Sequence, residues 1–160
     1  IFTLALAVSA QVVINEVVYD PVGDETSGEW VELYNTGGSS VDLSGWQLTD
    51  QDGHTYIIPS GSSISAGGYL VMHTGAGTDT STDLYAGFTA GIWDNTGDEV
   101  LLVDNTAAGI DYIQYSGGSG DSPPSDLTWS GDIPGTSEGN SLAIIPDGDD
   151  QDSATNWIPR

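Results

Sequence analysis

The chain has 160 residues, with 24 acidic side chains set against one basic side chain, for a formal net charge of −23. That balance opposes binding to nucleic-acid phosphates or anionic lipid, since the field of the whole molecule repels both. The length suits one domain with its own core, and the absence of cysteine and of lysine excludes disulfides and lysine–asparagine isopeptide cross-links.

Ile1–Ala10 (IFTLALAVSA) opens the chain and can be read in two ways. Its short apolar run followed by Val8-Ser9-Ala10 resembles the end of a secretory signal, although the basic leader of such a signal is missing. Alternatively it is a strand: Phe2, Leu4, Leu6 and Val8 fall on one face and Thr3, Ala5, Ala7 and Ser9 on the other, a large–small alternation at period two. Gln11–Tyr19 is β-branched and reads as a strand ended by Asp20-Pro21. Val22–Gly28 then reads as an acidic loop carrying Asp24 and Glu25.

The alternation is clearest over Glu29–Asn35, where Val31 and Leu33 point one way and Trp30, Glu32 and Tyr34 the other. Glu29 and Glu32 read as its solvated face. Gly37–Ser40 makes a turn, and Val41, Leu43, Trp46 and Leu48 fit a second strand entered through a bend at Ser44-Gly45. The two strands form the expected sheet nucleus. Asp52-Gly53 sits in a hairpin turn with His54–Pro59 as the returning partner. Tyr69–Thr74, Glu99–Asp104 and Ile110–Tyr115 are further strands, with exposed loops over Gly75–Asp83 and Ser116–Ser125. A last apolar run, Ser141–Ile145, precedes the acidic run Asp147–Asp152 and Trp157. Long helical periodicity is absent, and no stretch is long enough to cross a membrane as a helix.

The order EWVELYN, LSGWQL, YIIP, ISAGGYLVMHTGAG and WDNTGDEVLLVD resembles a lamin tail domain, in particular the secreted or cell-surface versions of prokaryotes. The likeness runs from about Val13 to Tyr115, and GNSLAIIPDGDDQD is similar to the closing segment of those copies. It implies an immunoglobulin-like antiparallel β-sandwich of about seven to nine strands. The organisation expected is an N-terminal apolar strand over residues 1–10 and a lamin-tail-like domain over 11–160. The resemblance also implies an extracellular or cell-surface location and an accessory role, with no catalytic residues. Lamin tails of the nuclear envelope carry basic surfaces; this chain has none, so chromatin roles do not carry over.

No GxSxG, HExxH or P-loop motif is present, and neither His54 nor His73 has a nucleophile–base pattern around it. The expectation is a non-enzyme. Asp147, Asp149, Asp150 and Asp152 offer several oxygen ligands around Gly148, which suits Ca²⁺, although the run departs from the EF-hand order and a solvated loop is the plainer reading. Asp20, Asp24 and Glu25 form a second, weaker group. As a partner surface, Phe2, Leu4, Leu6 and Val8 would contribute ~6–12 kcal/mol of gross burial. Ordering ten residues costs a similar amount, at ~1–2 kcal/mol each. Ladder hydrogen bonds therefore decide, and an edge strand supplies them. Inserted into a neighbouring copy, this strand gives a heterologous, head-to-tail homopolymer. The competing expectation is a monomeric secreted module that binds carbohydrate or cell-surface glycan through exposed Trp and Tyr.

Overall fold

The structure is a computed structural model, and it describes residues 11–50, 52–118 and 122–160. β1 (Val12–Val18) is buried on both faces, as a strand inside a sheet and under a second layer must be. It pairs antiparallel with β2 (Trp30–Asn35), whose alternation is the one visible in the sequence: Val31, Leu33 and Asn35 are buried, and Trp30, Glu32 and Tyr34 are half-buried. Between them, Glu25–Gly28 forms one turn of helix (α1) where an acidic loop was expected. Asp24 caps it, its Oδ1 accepting from Ser27 N at 2.8 Å.

The expected nucleus is corrected by the chain path. The stretch after β2 does not pair with it. Val41–Asp42 (β3) and Gln47–Thr49 (β4) lie in different sheets, and the bend at Ser44-Gly45, with Gly45 at φ +79°, carries the chain across. β4 forms the expected hairpin with β5 (Thr55–Ile57), in the register Gln47↔Ile57 and Thr49↔Thr55. β6 (Ser63–Ile64) pairs with β3, and β7 (Tyr69–His73) pairs with β2. β8 (Asp83–Tyr85) runs parallel to β7. β9 (Asp98–Val103) and β10 (Gly109–Tyr115) form an antiparallel pair. β11 (Leu142–Ile144) joins β1, and β12 (Trp157–Pro159) joins β11.

The result is a six-stranded sheet, β12-β11-β1-β2-β7-β8, facing a four-stranded sheet, β10-β9-β4-β5, with the short β3–β6 pair to one side. Inward side chains of the two sheets make one core. Ile14, Leu33, Leu48, Leu70, Leu102 and Ile113 are all almost wholly buried in it. Tyr19 and Tyr115 stack within it at 4.2 Å between ring centroids. Ile57, Tyr69 and Ile158 are the exposed exceptions on strands among the described residues.

Two irregularities lock the sheets together. β1 shifts register between Ile14 and Glu16, and β10 shifts between Gly109 and Asp111. Beside the first shift, the Ile14 N–H donates to Asp111 Oδ2 of the opposite sheet at 2.6 Å. Asp111 also accepts from its neighbour Tyr112 N at 2.7 Å.

Candidate functional site

The carboxylate group with the most altered chemistry lies where α1 meets β2. Glu29 is the C-cap of α1, and its backbone N–H donates to Glu25 O at 3.1 Å. That cap turns the side chain inward, so Glu29 is 1 % exposed and does not belong to a solvated face. Its Oε2 accepts from Thr74 Oγ1 at 3.1 Å and from Ile92 N at 2.9 Å. Burial outweighs these bonds and pushes the carboxyl up to about 7. Glu32 departs from the expectation as well. It is half-buried, accepts from Asn15 Nδ2 at 2.9 Å, and is raised by burial.

An open pocket of about 330 Å³ lies against Glu29, lined also by Glu25, Gly91, Trp93, Asp94 and Asn95. A Cβ on Gly91 would stand 2.5 Å from Glu29 Oε1, so a larger residue in this wall would have to displace the Glu29 carboxyl. Asn95 Nδ2 donates to both Asp20 Oδ1, at 3.2 Å, and Glu25 Oε1, at 3.1 Å. The fold thus brings Asp20 and Glu25 together across an amide, while Asp24 is spent as the helix cap. The arrangement holds a proton near neutrality on one buried carboxyl.

The acidic turn after β11 has the side chains of Asp147, Asp149 and Asp150 engaged one by one. Asp147 Oδ2 accepts from Tyr69 OH at 2.7 Å. Asp149 Oδ2 accepts from Gln151 Nε2 at 3.2 Å, and its carbonyl accepts from Asn156 Nδ2. Asp150 Oδ1 accepts from Asp152 N at 3.0 Å, and burial raises its carboxyl. Asp152 adopts φ +50° and its carbonyl accepts from Ser130 N at 3.0 Å. Gly148, at φ +73°, lies against Tyr34, where a Cβ would meet the ring at 2.7 Å. Among the described residues no three carboxylate or imidazole groups are grouped to hold a metal ion. Phe2, Leu4, Leu6 and Val8 lie outside the described residues.

Aromatic rings on the outer face of the six-stranded sheet pack on one another. Tyr34 and Tyr69 are 4.6 Å apart, and His73 and Tyr85 are stacked at 4.7 Å. Gly77 covers Tyr85, a Cβ there falling 2.2 Å from the ring. Sequence reading missed Asn35, which is wholly buried: its Nδ2 donates to the carbonyls of Ser39, Ile64 and Ser65, and its Oδ1 accepts from Gly37 N at 2.9 Å. The signal was an asparagine at an inward strand position directly before a glycine turn.

Two facing, mostly antiparallel sheets around one core, almost without helix, define an immunoglobulin-like all-β sandwich. The family model described as Lamin Tail Domain matches residues 6–117, well over half of the chain, and the protein belongs to that family. No curated protein matches the chain. Lamin tail domains are small immunoglobulin-like domains that mediate protein interactions and are in general non-enzymatic. β11 and β12 lie beyond the matched span and complete the six-stranded sheet on the far side of β1. No helix among the described residues is long and apolar enough to cross a membrane.

Proposed function

We propose that the protein is an extracellular structural subunit that polymerises head to tail, with Ile1–Ala10 entering a neighbouring copy as an added strand. The observation that carries this reading is the pattern of Ile1–Ala10, whose alternation places the apolar side chains of Phe2, Leu4, Leu6 and Val8 on one face. A strand with one such face has burial to gain by adding to a sheet. A uniformly acidic chain also needs an uncharged segment for self-association, because like-charged surfaces repel. Ile1–Ala10 carries no charged side chain.

The test is deletion of residues 1–10, with sedimentation and electron microscopy as readouts. The truncated protein is expected to fold and to remain monomeric where the full chain forms filaments. Unchanged polymerisation would overturn the reading. A monomeric full-length protein that is retained on cell-wall glycan would replace it with the accessory-module reading.

A further inference from the structure

We infer that the acceptor for an added strand is the outer edge of β5, Thr55–Ile57, together with the groove beside it. This rests on the polymerisation reading above and names its missing half. Strand addition needs a row of unpaired backbone groups and room for alternate side chains. The two large sheets have four edges, β12, β8, β10 and β5, and three of them are closed.

At β12, Ser141 and Arg160 exchange backbone bonds of 3.0 Å, so even-numbered residues face β11 and Trp157 and Pro159 face outward. Trp157 N–H is used on Ala154 O, and Pro159 has no N–H to give. At β8, the outward groups are met by the preceding loop. Asp83 N donates to Thr80 Oγ1 at 3.0 Å, Thr80 N to Asp83 O at 2.8 Å, and Tyr85 N to Asp79 Oδ1 at 2.9 Å. At β10, Asp126 takes the Gly109 N–H at one end, and Ile133 bridges Gln114 and Ser116 at the other.

β5 differs. Ile58 N donates to Trp46 O at 2.8 Å and Asp50 N to His54 O at 3.3 Å, so His54, Tyr56 and Ile58 turn their backbone groups toward β4. Those of Thr55 and Ile57 face outward and meet no partner among the described residues. The Ile57 side chain is 61 % exposed, an apolar group on an edge that soluble proteins ordinarily guard with charge. Beginning at Pro59, two residues past this edge, a groove of about 320 Å³ runs toward Leu84 of β8, with the buried Leu70 and Leu84 in its lining.

The occupant that fits is residues 1–10 of a second copy. Ten extended residues span about 33 Å, far more than a three-residue edge requires. In the register that sets Ala5 beside Ile57, the pleat puts Phe2, Leu4, Leu6 and Val8 on the groove side and the small residues on the Ile57 side. The segment brings no negative side chain toward Asp79 on the groove wall.

The experiment uses the full-length chain. Thr55→Pro removes an outward N–H and leaves the β4 pairing intact; Ile57→Lys guards the edge by charge and leaves the backbone untouched. Each variant is checked for folding by circular dichroism. Removing one ladder bond should weaken association by up to about tenfold, read as a shift in the concentration at which filaments sediment. A double variant, Ala5→Cys with Ile57→Cys, introduced into a chain free of cysteine, should give covalent multimers on oxidation. Filaments in wild type together with unshifted Ile57→Lys and no cross-linked multimers would overturn the β5 assignment and leave the polymerisation reading standing. Absence of filaments in wild type would overturn both.

Discussion

At Glu29, burial and hydrogen bonding act in opposite directions on one carboxyl. With a native value of about 7 against an ordinary 4.5, the folded state holds the proton more tightly than the unfolded chain. Stability from this group is therefore complete below pH 4.5 and is lost as pH rises through 7, by about 3 kcal/mol at 1.36 kcal/mol per unit. Glu29→Gln should melt at a higher temperature than wild type at pH 8 and show no such advantage at pH 4.5. Parallel melting curves across that range would show that Glu29 is not the titrating group. Asn35 behaves differently, because its worth lies in the number of bonds it makes. Asn35→Ala removes the amide from Ile64 O and the Gly37 N–H, while Ser39 O keeps Gln11 Nε2 and Ser65 O keeps Gly68 N, a loss of about 1–3 kcal/mol, measured as a lower urea midpoint at unchanged slope. The role of Glu29 was not legible in the chain, and that of Asn35 showed only in its inward position ahead of a glycine turn. Alternation identifies the face a strand residue points to, but Glu29 stands one residue before the strand, where a helix cap sets the direction.

Among the elements, the paired irregularities of β1 and β10 carry the clearest prediction. Asp111→Ala removes the acceptor of the Ile14 N–H in a buried position and should cost about 1–3 kcal/mol. Asp111→Asn retains an oxygen there and should cost less. Hydrogen exchange at Ile14 separates the two: fast in Asp111→Ala, slow in Asp111→Asn. Burial raises the Asp111 carboxyl well above the ordinary range, with Asp150 next in effect, so removing its charge is not itself the penalty. Most strands could be read from period-two apolar runs bounded by glycine and aspartate. The pairing could not. Val41–Leu48 has the pattern of one bent strand, and only the packing of Leu43 and Leu48 in one core shows why the chain must change sheets between them. The parallel partner of β7 is three residues long and follows a polar loop, too short for any periodicity to register.

For the whole molecule, charge sets the response to solvent. Arg160 is the one basic side chain, and it pairs with Glu16 at 3.7 Å while half exposed, a contact worth little. Self-repulsion is otherwise uncompensated, so added sodium chloride should raise the melting temperature at neutral pH by screening. Calcium bears on the Asp147–Asp152 turn. A specific site requires Ca²⁺ to raise the melting temperature beyond Mg²⁺ at equal ionic strength, and EDTA to lower it. With the side chains of Asp147, Asp149 and Asp150 already bonded, the two ions are expected to act alike. The sandwich class and the family resemblance were legible because five short pieces recur in a fixed order. The open edge was not, because it depends on which backbone groups the neighbouring loops happen to satisfy.

The central position of β1 has a mechanical meaning. It is held by β2 on one side and β11 on the other, both antiparallel to it. A pull on the chain at the N-terminal end of β1 runs along the strand axis. It therefore loads the bonds of both ladders at once in shear and cannot peel them singly. A strand joining copies through that end would hand tension to the strongest part of the sandwich, and single-molecule stretching from that end should show one high-force rupture.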